Sequence, residues 1–147
     1  MSNTLPLSGV RVVDFTHVIS GPFCTMMLAH MGADVVKVER PDVGDSLRNI
    51  PGYEGREGHP DYFNSVNNTK RSVALDLKNP DHHAAAVDLI CNADVVVENF
   101  KPGTADRMGL GYEVVKKINS KLIYCSISGF GQTGPYAQRP AIDPIIQ

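Results

Sequence analysis

The apolar residues of the chain fall into short β-branched runs that alternate with stretches of helical spacing. Consecutive residues such as Val95–Val97 are typical of strands that are buried on both faces of a parallel sheet. Runs of this kind predict five strands: Val10–Phe15, Val35–Glu39, Lys70–Leu77, Ala93–Asn99 and Leu122–Ile127. The intervening helices are Pro22–Met31, a helix opened by Asn79-Pro80-Asp81, Thr104–Met108 and Glu113–Ile118. The alternation predicts an α/β fold with a Rossmann-like parallel sheet and flanking helices.

One stretch, Pro41–Asn68, interrupts this alternation. It is rich in Gly, Pro, Asp, Asn and charged residues and shows neither a strand nor a helix period. Long loops inside a compact domain are uncommon and usually functional or mobile. We therefore predict a long surface loop that acts as a lid or faces a partner.

Basic and aromatic residues follow several of the predicted strands. Arg40 comes directly after the second strand, and the run Glu98–Lys101 and then Arg107 follow the fourth. Ligands of open α/β sheets bind beyond the carboxyl ends of the strands, where these cations would suit phosphate groups. The alternative is that the cations are solvated or form ion pairs with Glu39 and Asp106.

The familiar nucleotide motifs are absent. The turn after the first strand, Thr16–Pro22, lacks G-x-G-x-x-G, and the chain has no Walker A pattern, so NAD and FAD are disfavoured. His17 lies in that turn, although a lone histidine there is more often a structural hydrogen-bonding group than a catalyst. The glycine-rich stretch Gly129–Pro135 predicts a flexible loop near the crevice. No histidine pair has a zinc-site spacing, and we predict no metal.

Composition narrows the class of protein. The 147 residues carry a formal net charge of -2 with no basic run, which argues against a nucleic-acid partner. No apolar run approaches the ~20 residues of a membrane span. Three widely spaced cysteines in apolar contexts predict buried, reduced thiols and a cytoplasmic protein: Cys24, Cys91 and Cys125.

The last residues of the sequence predict the start of a further helix. Asp143 is a candidate N-cap and Pro144 suits the first helical position, but the sequence stops at Gln147. A single isolated turn is not stable. We therefore expect the chain to be part of a longer protein.

Six motifs in this order resemble the class III coenzyme A transferases, the family of formyl-CoA and carnitinyl-CoA transferases. They are DFTHVISGP (14–22), GADVVKVERP (32–41), NTKRSVALDLK (68–78), ADVVVENFKPG (93–103), DRMGLGY (106–112) and SGFGQTGPYA (128–137). The resemblance covers essentially the whole chain. It implies that residues 1–147 are the amino-terminal part of a Rossmann-like CoA-binding large domain, with the small domain and the rest of the large domain absent.

The resemblance also implies a function. CoA would move from an acyl-CoA donor to a small carboxylic or dicarboxylic acid through an aspartyl-CoA intermediate, without a metal or redox cofactor, in an interlocked homodimer. The nucleophilic Asp would lie beyond this chain, so no catalytic residue is assigned within it. The CoA contacts implied by the family's motifs fall on His17, Val18, Arg40, Leu75, Lys78, Asn99, Phe100 and Arg107.

Two departures from the family's patterns limit the choice of substrate. Formate-type enzymes carry Gln where this chain has Ile19, and a basic residue where it has Pro140. The related α-methylacyl-CoA racemases use a His where this chain has Ile142. A transferase is favoured over a racemase, and a CoA-binding fragment without activity is the other alternative.

Overall fold

Five short parallel strands form one sheet in the computed structural model, which describes residues 4–50, 60–142 and 144. The strands are β1 (Arg11–Asp14), β2 (Asp34–Glu39), β3 (Arg71–Ala74), β4 (Val95–Glu98) and β5 (Ile123–Ser126). Their spatial order is β3-β2-β1-β4-β5. The chain builds one half of the sheet outward from β1 and then returns to the other side of β1, which is the Rossmann order. The predicted fold class is confirmed.

Helices cover both faces of the sheet because neighbouring strand residues point to opposite sides. The helices are α1 (Ser20–His30), α2 (Asp61–Asn67), α3 (Pro80–Cys91), α4 (Thr104–Arg107) and α5 (Tyr112–Ile118). On one face Val12 and Val97 pack with Ala29 of α1. On the other face Val13 and Val96 pack with residues of α3 and α5, among them Ala86, Ile90 and Val115. Each strand therefore contributes to two apolar layers.

The helix boundaries follow from local chemistry at two predicted positions. The Asn79 side-chain oxygen accepts hydrogen bonds from the backbone N–H groups of Asp81 (2.9 Å) and His82 (3.4 Å), so it caps α3 with Pro80 in the first turn. Beyond α1, Gly32 adopts φ +103°, a left-handed conformation that glycine accepts without steric cost. The cap at Asn79 confirms the predicted start of α3. The candidate cap Asp143 lies outside the described residues.

The prediction of a long loop over Pro41–Asn68 is wrong for the described part of that stretch. Ser46–Asn49 forms a 3₁₀ turn and Asp61–Asn67 forms α2. Their buried residues Leu47, Phe63 and Val66 make a small separate cluster. Each segment is too short for a hydrophobic period to be visible, and the two become apolar partners only after folding.

The three cysteines are free, but the prediction that all are buried is wrong. Cys91, at the end of α3, is exposed, whereas Cys24 and Cys125 are half-buried. Burial raises the pKa of the Cys24 and Cys125 thiols, which keeps both in the less reactive protonated form at neutral pH.

In the part of the chain that the structure describes, no helix has the length and apolarity needed to span a bilayer.

The different burial of two isoleucines predicts different losses of stability when each is truncated to alanine. Ile90 is fully buried under α5, so Ile90→Ala should lower the free energy of unfolding by about 3 kcal/mol through lost contacts and a cavity. Ile118 is 47% exposed, so Ile118→Ala should change it by less than about 0.5 kcal/mol. Urea unfolding followed by circular dichroism measures both. Equal losses in the two variants would contradict this description of the core.

Candidate ligand-binding site

A cavity of about 400 Å³ opens at the carboxyl ends of β1, β2 and β3. Its wall is made mainly by residues that end these strands or directly follow them, with one aromatic ring from the segment after β4. The lining residues are Phe15, Thr16, His17, Val38, Glu39, Arg40, Gly44, Asp45, Ser46, Leu75, Asp76, Leu77, Lys78, Phe100 and Met108. This is the edge at which open α/β sheets bind ligands.

Five of the eight residues implied by the family resemblance line this cavity: His17, Arg40, Leu75, Lys78 and Phe100. Val18 and Asn99 do not line it: Val18 follows His17 in the same turn, and the Asn99 side chain is bonded to the His17 backbone. Arg107 is exposed and does not line the cavity, although its neighbour Met108 does. The structure therefore brings most of the predicted set together.

The expected convergence of three cations is only partly observed. Arg40 lines the cavity, but Lys101 and Arg107 do not. The Arg107 guanidinium donates a hydrogen bond to the Thr104 hydroxyl at 2.9 Å, within α4. The second cation of the wall is instead Lys78, which follows β3. Among the described residues, no ion-pair partner is found for Arg40 or Lys78.

The imidazole of His17 lies beside the phenyl ring of Phe100, with 5.7 Å between the ring centroids. Partial burial of the imidazole lowers the pKa of His17; the charge of Asp45 opposes this shift, and the charges of Lys37 and Arg40 reinforce it. The lowered pKa favours the neutral form of the ring. In that form the imidazole offers the cavity a flat face, one N–H donor and one nitrogen acceptor.

The backbone of the turn after β1 is fixed from two sides. The Asn99 side chain accepts a hydrogen bond from the His17 N–H (2.9 Å) and donates one to the His17 carbonyl oxygen (2.8 Å). The next residue, Val18, adopts φ +66°, and its N–H donates to both carboxylate oxygens of Asp45 at 3.2 Å. Positive φ is rare for a β-branched residue, so this turn depends on its anchors.

A buried ion pair supports the turn from below. The ammonium of Lys37, in the middle of β2, lies 3.1 Å from the Asp45 carboxylate, and each side chain is 1% exposed. Lys37 also donates a 2.6 Å hydrogen bond to the carbonyl oxygen of Thr16. Because neither charge reaches water, each depends on the other for stabilisation.

A second buried pair joins the end of β1 to α1 and α2. Asp14, fully buried, lies 3.0 Å from the ammonium of Lys70 and accepts a 2.6 Å hydrogen bond from the Thr25 hydroxyl. Lys70 also donates to the Pro22 carbonyl oxygen and to the Asn67 side chain, both at 2.8 Å. Burial lowers the pKa of Lys70, and the charge and hydrogen bond of Asp14 oppose that shift.

The carboxylate of Glu39, at the end of β2, organises the turn that contains Asp45. It accepts two 2.7 Å hydrogen bonds from the Arg48 guanidinium, one of 2.6 Å from Ser72 and one of 3.0 Å from the Asp45 N–H. Burial alone would raise the pKa of Glu39, but these hydrogen bonds and the Arg48 charge lower it to about 2. The suggested ion pair between Arg40 and Glu39 is thus replaced by one with Arg48.

The sequence interpretation missed the buried charges beneath the wall, and it found no decisive polar group in the stretch after β2. One signal was present: Lys37 interrupts the apolar run Val35–Val38 in a strand that should be buried on both faces. A lysine at such a position needs a carboxylate partner. The carboxylate that pairs with Lys37 is determined by the folding of the turn Pro41–Arg48. The pattern of apolar residues in the strands does not predict how this turn folds.

Comparison with known proteins identifies relatives along the whole chain. The model of CoA-transferase family III matches residues 7–147. The acetyl-CoA:oxalate CoA-transferase of Acetobacter aceti is 46% identical over 142 residues, covering 97% of this chain and 36% of the relative. The human succinyl-CoA:glutarate CoA-transferase is 46% identical over 146 residues, covering 99% of this chain and 33% of the relative.

A solved structure agrees with the sequence relatives. A CaiB/BaiF family protein from Brucella suis superposes with a TM-score of 0.92 at 44% identity, covering 99% of this chain and 39% of that one. The chain therefore spans little more than a third of the length of the proteins it resembles. Its fold is shared with that part of the Brucella suis protein which it covers.

The buried pair predicts a large stability loss when one charge is left alone. Lys37→Met removes the cation and leaves the Asp45 carboxylate buried, so the free energy of unfolding should fall by about 3 kcal/mol at pH 7. Lys117→Met, on the exposed side of α5, should change it by less than about 0.5 kcal/mol. Chemical unfolding of both variants is the measurement, and a loss below 1 kcal/mol for Lys37→Met would count against the pair.

The low pKa of Glu39 predicts a specific acid sensitivity. The pKa of the carboxylate is about 2 in the folded protein, against 4.5 for an ordinary glutamate. Its bonds therefore stabilise the fold fully above about pH 4.5 and lose that contribution as the pH falls toward 2. Glu39→Gln should have a shallower decline in the free energy of unfolding over this pH window than the parent protein. Glu113→Gln, at a side chain 71% exposed, should keep the parent slope; identical slopes in all three proteins would contradict the assignment.

Proposed function

The chain belongs to CoA-transferase family III, and from that premise we propose that it forms the CoA-binding amino-terminal part of a longer acyl-CoA transferase. The full-length enzyme would move CoA from an acyl-CoA donor to a small carboxylic or dicarboxylic acid. Two relatives are named for such reactions, with oxalate in one case and glutarate in the other. The acceptor of this protein is not assigned to either.

The observation that carries the proposal is the chemistry of the cavity wall. Two cations without ion-pair partners among the described residues, Arg40 and Lys78, border the same space as the rings of His17 and Phe100. The two cations can bind phosphate groups, and the two rings can pack against a flat heterocycle. The nucleotide end of CoA carries both features.

The size of the cavity supports binding of one end of the carrier. A volume of about 400 Å³ lies within the usual range for a pocket that holds one small ligand. CoA continues from its nucleotide into a long pantetheine arm that ends in the reacting sulfur. We propose that this arm leaves the cavity toward polypeptide that lies beyond this chain.

The chemistry itself would take place outside these 147 residues. We propose that an aspartate carboxylate beyond this chain attacks the thioester carbonyl, which releases the CoA thiolate and forms a mixed anhydride. The thiolate then attacks the aspartyl carbonyl of the anhydride, which releases the donor's carboxylate and leaves an aspartyl-CoA thioester. The acceptor carboxylate repeats these two steps in reverse, so that its acyl-CoA is released and the aspartate is restored. This chain alone would bind CoA but transfer nothing. CoA and its acyl ester are substrates, and no further cofactor is invoked. An interlocked homodimer and a cytoplasmic location remain predictions.

A CoA-exchange assay of the full-length protein tests the function. We expect transfer from an acyl-CoA to at least one member of a panel of mono- and dicarboxylic acids, with a CoA adduct on an aspartate outside this chain by mass spectrometry. Transfer without such an adduct would overturn the covalent route. No transfer together with exchange of an α-proton into a branched acyl-CoA would replace the transferase with a racemase.

A matched pair of arginine variants locates the CoA site in the same assay. Arg40→Gln removes one cation from the cavity wall and should raise the KM for acyl-CoA about tenfold, the worth of one charge-assisted hydrogen bond. Arg11→Gln lies at the amino end of β1, the opposite edge of the sheet, and should leave the KM unchanged. Equal effects of the two substitutions would argue against this cavity as the CoA site.

A further inference from the structure

Asp45 lies in the cavity wall, and its carboxylate contacts three segments of that wall, although no motif of the sequence pointed to it. We propose that Asp45 is a positioning residue for CoA binding: its buried carboxylate holds the His17–Val18 turn in the conformation that receives the ligand. The proposal rests on the proposed function, because it concerns the same cavity. It adds a residue whose role is to hold the turn that carries His17.

The first argument is the number of donors that meet at this one carboxylate. Asp45 forms an ion pair with the Lys37 ammonium at 3.1 Å and accepts hydrogen bonds from the Val18 N–H at 3.2 Å and the Leu47 N–H at 3.0 Å. These donors belong to β2, to the turn after β1 and to the 3₁₀ turn after β2. A single side chain, 3% exposed as a residue, thereby joins three segments of the wall.

The second argument is the backbone conformation of Val18. Its φ of +66° is one that β-branched residues avoid, and such conformations persist where the surroundings hold them. The hydrogen bond from the Val18 N–H to Asp45 is the anchor on one side of the turn. The Asn99 side chain, bonded to the backbone of His17, is the anchor on the other side.

The third argument connects the turn to the ligand. His17, directly before Val18, lines the cavity and lies 5.7 Å from Phe100 between ring centroids. If Val18 relaxed to a common negative φ, the peptide before it would rotate and His17 would leave this position. The position of the His17 ring beside Phe100 therefore depends on the carboxylate of Asp45.

The experiment compares two aspartates of the same turn in the full-length protein. Asp45→Asn removes the charge that pairs with Lys37, and we expect the KM for acyl-CoA to rise about tenfold while kcat stays within about twofold. Asp42→Asn is the matched control. Asp42 is exposed, has φ +66° and lies three residues away, and asparagine tolerates that conformation. Its KM should equal that of the parent protein.

A double variant covers the case in which Asp45→Asn fails to fold. Lys37→Met with Asp45→Leu replaces the buried pair by apolar side chains, a change that often preserves stability. It still removes the acceptor of the Val18 N–H, so the melting temperature should recover toward that of the parent while the KM and the Kd for CoA stay about tenfold raised.

The outcomes separate the two proposals. If the parent protein neither binds CoA nor transfers it, the proposed function fails, and the inference that rests on it fails as well. If the parent binds CoA and the folded double variant binds it equally well, Asp45 is a purely structural residue and the inference alone is overturned. A raised Kd in both Asp45 variants, with an unchanged Kd in Asp42→Asn, supports it.

Discussion

The ion pair between Lys37 and Asp45 is the constraint on which the ligand edge of this protein depends. A lysine in the middle of a central strand cannot reach water, so a carboxylate has to come to it. That requirement folds the turn after β2 back over the sheet. The same carboxylate then holds the turn after β1, and the cavity lies between the two turns. A charge inside the sheet thus determines the shape of a surface site.

The fold was predictable because its signals are local and repeated. Runs such as Val95–Val97 mark strands, and Asn79 and Gly32 mark helix ends within a few residues of their partners. The parallel alternation then leaves few topologies. Helix α2 was missed since its seven residues bury only Phe63 and Val66 as apolar side chains, and these pack on Leu47, which lies more than a dozen residues earlier. A hydrophobic period cannot be recognised when part of the apolar cluster is contributed by another segment.

The site was predictable where position along a strand decides it. Arg40 and Phe100 follow β2 and β4, and any residue at those places faces the carboxyl edge of the sheet. The expectation for Arg107 was less accurate because α4 is a single turn, in which its guanidinium bonds to Thr104. The pairing of Lys37 with Asp45, or of Glu39 with Arg48, depends on how one turn lies over another. Such pairings are tertiary contacts, and they could not be predicted from the sequence alone.

The acidic residues at the strand ends are bonded to donors of the protein itself. Asp14, Glu39 and Glu98 end β1, β2 and β4, and all three are buried. Each carboxylate is occupied by protein donors: Lys70 and Thr25 for Asp14, Arg48 and Ser72 for Glu39, and the Phe100 N–H for Glu98. These ion pairs and hydrogen bonds hold the neighbouring turns in place. Arg40 and Lys78, for which no ion-pair partner is found among the described residues, are therefore the cations of the wall that remain available to the phosphate groups of the proposed ligand.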